Sequence, residues 1–288
     1  MTASPDVFAE REYNLREAFP DHMEWLSRWA ADSEQARASL HAIRGIRYGA
    51  GPKQTMDLFP ADRPRAALLF IHGGYWRGLD KDDHSFIAPP FVGAGISVAV
   101  VNYDLCPAVR IADIVEQCRE AIEWLVSEGA SHGVPARRLI VAGHSAGGHL
   151  TAMMFATNWK ARGSKARRSA PAPIAGGISI SGVFDLAPLV DVSFNSDLGL
   201  DLQSARDLSP IGAKPLVCAP LLLAAGADET VEFVRQSRSL WERWPGCRPA
   251  ESEGPLFVQG KHHFSVLTEF ADPRGELFAR SLDIFGRT

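Results

Sequence analysis

The chain has 288 residues, of which 46% are hydrophobic and 22% charged, and 30 Lys and Arg stand against 34 Asp and Glu for a net charge of −4. Such a length suits one large α/β domain, and the composition is that of an ordinary globular protein, so disorder, collagen and coiled coil are excluded. The charge balance gives no global basic field for nucleic acid or anionic lipid. No apolar run approaches the roughly 18 residues of a membrane span, and the N-terminus lacks a basic segment followed by an apolar one. The expectation is a cytoplasmic protein with no nucleic-acid or membrane partner.

The first 44 residues are polar and helix-prone, and Trp25, Leu26 and Trp29 recur near helical spacing, which predicts an N-terminal helical arm with one face docked on the body. After Gly45 come short apolar runs at Ala66–Ile71, Ile96–Val101, Leu139–Ala142, Ile174–Ile180 and Pro220–Ala225, with a further strand over Leu256–Gln259. Near-continuous apolar runs of this length read as parallel strands covered on both faces. Helical patterns lie between them at Ile111–Glu128, Gly147–Asn158 and Glu229–Trp244. The alternation predicts one α/β domain over 1–288, with a mostly parallel central sheet and helices on both faces. The stretch Phe184–Ala219, rich in Asp, Ser, Leu and Pro, breaks the alternation and is expected to form a lid or rim over a site. The basic run Lys160, Arg162, Lys165, Arg167 and Arg168 contains no aromatic residue and reads as a solvated loop. Cys106, Cys118, Cys218 and Cys247 show no metal-ligand or CxxC spacing and read as reduced thiols.

Gly143-His144-Ser145-Ala146-Gly147 follows a predicted strand and opens a predicted helix, the context of a G-x-S-x-G nucleophile elbow. A serine hydroxyl is a weak nucleophile unless a base takes its proton and a carboxylate orients that base. In this arrangement the chain order is Ser, then Asp or Glu, then His. Asp228 follows the strand Pro220–Ala225 and the turn Gly226-Ala227 and is the favoured carboxylate, with Glu229 its near rival. The base is one of His262 and His263, the two histidines after that point; adjacent histidines rarely face one ion, so no metal is expected there. His144 and His149 flank the serine and read as packing residues, while His22, His41, His84 and His132 sit in polar segments and read as exposed. His72-Gly73-Gly74-Tyr75-Trp76 ends the strand Ala66–Ile71, where backbone amides of Gly73 and Gly74, with that of Ala146, would stabilise a developing oxyanion.

These pieces, taken in order, resemble the α/β-hydrolase superfamily, and HGGYW is similar to the HGGxW of kynurenine formamidases (arylformamidases). The resemblance extends through GHSAGGHL at 143–150, SGVFDLAPL at 181–189, LGLD at 198–201, SP at 209–210, DETVEFVRQS at 228–237 and HHF at 262–264, with YN…PDH at 13–22. It implies Ser145 as nucleophile, Asp228 as triad acid and His263 as base, since the family histidine directly precedes Phe, here Phe264. It further implies Gly73, Gly74 and Ala146 as oxyanion hole, and a cofactor-free hydrolysis of N-formyl-L-kynurenine to kynurenine and formate, a step of tryptophan catabolism. Tyr75 and Trp76 are expected to narrow the acyl side and offer a face to an aryl leaving group. The alternatives are a short-chain carboxylesterase, which runs the same acyl transfer, and a non-catalytic binding protein, which would be expected to lack part of the triad. Oligomeric state is open, a homodimer being a common arrangement for soluble enzymes.

Overall fold

The computed structural model of the chain describes residues 5–162 and 172–286. Its strands, in chain order, are β1 (Ile43–Arg47), β2 (Thr55–Phe59), β3 (Ala66–Ile71), β4 (Ile96–Val101), β5 (Leu139–His144), β6 (Ile174–Ile180), β7 (Leu221–Gly226) and β8 (Leu256–Val258). They form one sheet in the order β1-β2-β4-β3-β5-β6-β7-β8. The pairs β1/β2 and β2/β4 are antiparallel and every other pair is parallel. Every residue of β3, β4, β5 and β7 is buried. Because successive side chains point to opposite faces, both faces of the sheet must be covered, which is why these strands read as unbroken apolar runs.

The helices are α1 (Val7–Tyr13), α2 (Leu15–Ala18), α3 (His22–Ser39), α4 (Ala88–Gly93), α5 (Ile111–Glu128), α6 (Ala146–Phe155), α7 (Trp159–Arg162), α8 (Asn195–Leu198), α9 (Leu202–Asp207), α10 (Val231–Arg243), α11 (Val266–Ala271) and α12 (Glu276–Ile284). α6 packs on β3, β5 and β6 and against α5, whereas α4 packs on β4 and α12 on β6, β7 and β8, with α11 touching both α4 and α12. Among the described residues no helix is long and apolar enough to cross a membrane.

Chain connectivity places the site. From β3 the chain moves outward to β4, and from β4 it returns past β3 to form β5. The carboxyl ends of β3 and β5 therefore flank a point where the direction of winding reverses, which opens a crevice in such sheets. Residues 72–76 leave β3 there and Ser145 leaves β5 beside them.

The predicted arm comprises α1, α2 and α3. Tyr13 anchors it by donating its hydroxyl to Glu232 Oε2 at 2.7 Å and accepting from Gln236 Nε2 at 2.9 Å, both on α10. His262 holds α3 and its approach, stacking on Phe19 at 4.8 Å and contacting Asp21 Oδ2 at 3.2 Å. Of the basic run, Lys165, Arg167 and Arg168 lie outside the described residues. Arg162 is not part of a loop: it ends α7 and bonds Glu123 at 2.8 Å and Glu116, both on α5.

Candidate active site

At the end of β5 the backbone of Ser145 takes φ 57° and ψ −118°, a conformation L-residues rarely adopt, and α6 begins at the next residue. Strain of this kind persists only where the surroundings over-determine it. Here they are glycines with no room for a side chain. A Cβ on Gly143 would lie 2.2 Å from Gly147 O, and one on Gly147 would lie 1.9 Å from Ile71 O on β3. β3, β5 and α6 thus meet at backbone contact, and the serine is lifted out of the turn between them. Ser145, His144, His263, Gly74 and Tyr75 line one cavity of about 130 Å3.

Gly73 and Gly74 continue β3 toward the same point. Pairing of Ile71 with Gly143 sets the register, and a Cβ on Gly73 would stand 3.0 Å from the Cβ of Ser145. Gly74 has φ +102° and is followed by Tyr75 at 48° and Trp76 at 56°, so the loop is wound left-handed over three residues. It is braced from behind. The His72 ring nitrogens contact Gly73 O at 2.8 Å and Asn102 Oδ1 at 3.0 Å, and Tyr103 donates its hydroxyl to His72 O at 2.9 Å. Asn102 Nδ2 in turn donates to Asp80 Oδ2 at 2.8 Å. Burial alone would raise the Asp80 carboxyl, but the hydrogen bonds from Lys53 and Asn102 outweigh it and hold the carboxyl down at about 2. Ala146 supplies the first amide of α6, which has no carbonyl within the helix to bond.

The carboxylate expected on the imidazole is one residue further along than Asp228. His263 Nδ1 lies 2.8 Å from Glu229 Oε2, and the Glu229 side chain is fully buried. Its other oxygen accepts the Gly226 N–H at 2.7 Å and the Ser181 hydroxyl. Asp228 is exposed: its backbone N–H bonds Lys261 O at 3.0 Å, tying the β7 turn to the loop after β8 and leaving its side chain outward. With Nδ1–H donated to Glu229, His263 keeps a lone pair on Nε2. Among the described residues no hydrogen bond joins Nε2 to the Ser145 hydroxyl, although both groups line the cavity. Of the two adjacent histidines, His262 is committed to the arm and His263 to Glu229.

Two further sequence expectations are corrected. Trp76, expected beside a substrate, is fully buried and packs its ring against His149 at 5.0 Å rather than lining the cavity. Tyr75 does line it, with its hydroxyl donated to Tyr13 O at 2.7 Å and its ring 4.6 Å from Phe194. Phe194, which also lines the cavity, lies in the 184–219 excursion, while α2 and α3 supply Leu15, Arg16, Leu26 and Trp29 to the cavity wall. His84, expected to be exposed, is buried among Trp29, Phe70 and Phe86. Ser181 was not singled out by sequence. The signal was its place directly after β6, whose neighbour β7 leads to Glu229.

His144 and His149 do pack locally. His144 Nε2 donates to His263 O and His149 Nε2 to Leu208 O, both at 2.8 Å, and their Nδ1 atoms, like Nε2 of His84, have no partner among the described residues. Burial first, then the neighbouring rings of His263 and His84, keeps His144 well below the ordinary histidine range; burial also lowers His84, and it lowers His149 to about 4. The unfolded chain therefore binds protons that the folded chain refuses. Stability is full above about pH 6.5 and is lost as pH falls toward 4. For His149 the loss between pH 7 and 5 is about 1–2 kcal/mol. Urea unfolding at those two pH values is expected to show a lower midpoint at pH 5, with a smaller drop in His149→Gln; equal drops in the two proteins would contradict the assignment.

Known proteins resemble this chain along most of its length. The BD-FAE family profile matches residues 56–242. Kynurenine formamidase from Salmo salar is 26% identical over 269 residues, spanning 89% of this chain and 86% of the relative. Kynurenine formamidase from Drosophila melanogaster is 29% identical over 254 residues, spanning 83% and 81%. A crystal structure from Silicibacter sp. TM1040 superposes with a TM-score of 0.80 at 31% identity, over 96% of this chain and 97% of that one.

Proposed function

The chain belongs to the BD-FAE family of α/β-hydrolases, and from that membership we propose that it is a serine hydrolase that removes a formyl group from an aryl formamide of the N-formyl-L-kynurenine type. The observation that carries the reading is the buried His263–Glu229 hydrogen bond, which leaves the free imidazole nitrogen in one cavity with a strained serine. Ser145 Oγ attacks the formyl carbonyl as His263 Nε2 takes its proton, and Glu229 holds the Nδ1–H tautomer and stabilises the imidazolium. Charge that develops on the carbonyl oxygen meets the amides of Gly73, Gly74 and Ala146. His263 then protonates the departing aryl amine, and the C–N bond breaks to leave formyl-Ser145. Water, deprotonated by His263, attacks that ester and releases formate, returning the proton to Ser145. Tyr75, pinned through its hydroxyl, walls the cavity beside the serine and favours a small acyl group.

The test is kcat/KM for N-formyl-L-kynurenine beside p-nitrophenyl acetate and butyrate, with Ser145→Ala as the blank for each. A formamide value of about 10⁴ M⁻¹s⁻¹ or more, abolished in the variant, is the expected result. Fast ester cleavage with formamide turnover at the level of the blank would replace the formamidase reading with a short-chain carboxylesterase.

A further inference from the structure

Two arginines stand at the cavity, and they are not equivalent. Arg77 Nη1 is 2.6 Å from Asp197 Oδ2 and its guanidinium lies 5.0 Å from the centre of the Phe194 ring, so its charge is already balanced. Arg16, on α2, is exposed and lines the same cavity, and among the described residues its guanidinium has neither a carboxylate nor a hydrogen-bond partner. Among the described residues no Asp or Glu lines the cavity. Of the acids in the arm, Glu10 and Glu17 are bonded to Asn14 Nδ2, at 2.9 and 3.0 Å, Glu12 to Arg11 at 3.0 Å and Asp21 to Trp25 Nε1 at 2.8 Å. Glu229 is buried behind His263. A net acidic chain thus presents an uncompensated cation at the rim of its cavity.

We infer that Arg16 is the residue of this cavity that receives a carboxylate carried on the part of the substrate remote from the scissile carbonyl, as a substrate of the N-formyl-L-kynurenine type carries one, and that it thereby sets selectivity for that group. Ser145 is nearly buried at the floor while Arg16 is exposed at the rim, so the two groups engage opposite ends of one molecule. A guanidinium offers a planar fork matched to both carboxylate oxygens, and its attraction also steers an anion to the opening. The inference rests on Ser145 as the nucleophile but not on the leaving group being an amine.

The experiment uses the full chain at low ionic strength with two acetate esters of one phenol framework, 4-acetoxybenzoate and its methyl ester. Each kcat/KM is divided by the ester's own hydroxide rate to remove differences in leaving group. The parent enzyme is expected to favour the carboxylate by about tenfold, the scale of one charge-assisted hydrogen bond. That ratio should fall to about one in Arg16→Gln, below one in Arg16→Glu, and stay partly raised in Arg16→Lys. Arg11→Gln, on α1 and outside the cavity lining, should keep the parent ratio. A parent ratio of one or less, or a ratio that survives in Arg16→Gln, overturns the inference while leaving the hydrolase reading intact. Absence of Ser145-dependent turnover of either ester overturns both, and failure on formamides alone touches neither the ratio nor the inference.

Discussion

Replacing Glu229 with Gln is expected to lower kcat/KM about 10³-fold or more, whereas Asp228→Asn should stay within about twofold of the parent. The reason lies in which atoms the buried carboxylate must serve. Gly226 N–H and the Ser181 hydroxyl both donate to Glu229 Oε1, and His263 Nδ1 faces Oε2. A Gln at 229 keeps its oxygen toward the two fixed donors, which turns its NH₂ toward His263. The imidazole then has to present a lone pair at Nδ1 and carry its proton on Nε2, the tautomer that cannot accept from Ser145. Shape and packing are preserved, so the loss is in chemistry and not in folding. Ser181 acts through this contact: at φ 52° its own backbone is strained, and it fixes which carboxylate oxygen is left for the histidine. Burst and steady-state kinetics on p-nitrophenyl acetate, with a urea midpoint for each variant, separate the two effects. A large loss in Asp228→Asn with a near-normal Glu229→Gln would sink the assignment.

That one-residue correction shows how far a sequence of this kind can be read. β3, β4 and β6 fall on the apolar runs that predicted them, because strands buried on both faces are almost wholly apolar, with a single serine in β4 and in β6, and so keep sharp ends. β1 and β2 were missed for the converse reason: IRGIR is half exposed, and TMDLF places Asp57 in the interior, so neither presents a run. The elbow was legible because its glycines answer to contacts between backbones, which tolerate no other residue. The choice between Asp228 and Glu229 was not. It depends on how the turn after β7 closes, and that is decided by the Asp228 N–H bonding Lys261 O from a loop more than thirty residues later. The family pattern pointed to the histidine beside Phe264, the one that bonds Glu229, but it could not show that Trp76 faces His149 and the interior. A loop with two consecutive non-glycine residues at positive φ does not point its side chains where an extended continuation of β3 would.

Gly147→Ala is expected to destabilise the fold by about 3 kcal/mol or more and to depress activity beyond what the residual folded fraction explains. The added methyl would lie 1.9 Å from Ile71 O and 2.8 Å from His72 O. Neither atom belongs to a flexible side chain. Ile71 is held in β3 by pairing with Val101 on one side and Gly143 on the other, and His72 by the contacts of its ring and carbonyl. Relief therefore requires α6 to move away from β3 as a body. That movement would carry the Ala146 amide away from Gly73 and Gly74, the three groups proposed to converge on one oxygen atom. Gly212→Ala is the contrast: among the described residues nothing lies within 4 Å of a Cβ there, and the change should fall within about 1 kcal/mol of neutral. Urea unfolding gives the stability of each, and kcat/KM per folded molecule gives the second effect. A Gly147→Ala protein of parental stability would mean that β3 and α6 separate without cost, and the proposed convergence of the amides would then need some other cause than this backbone contact.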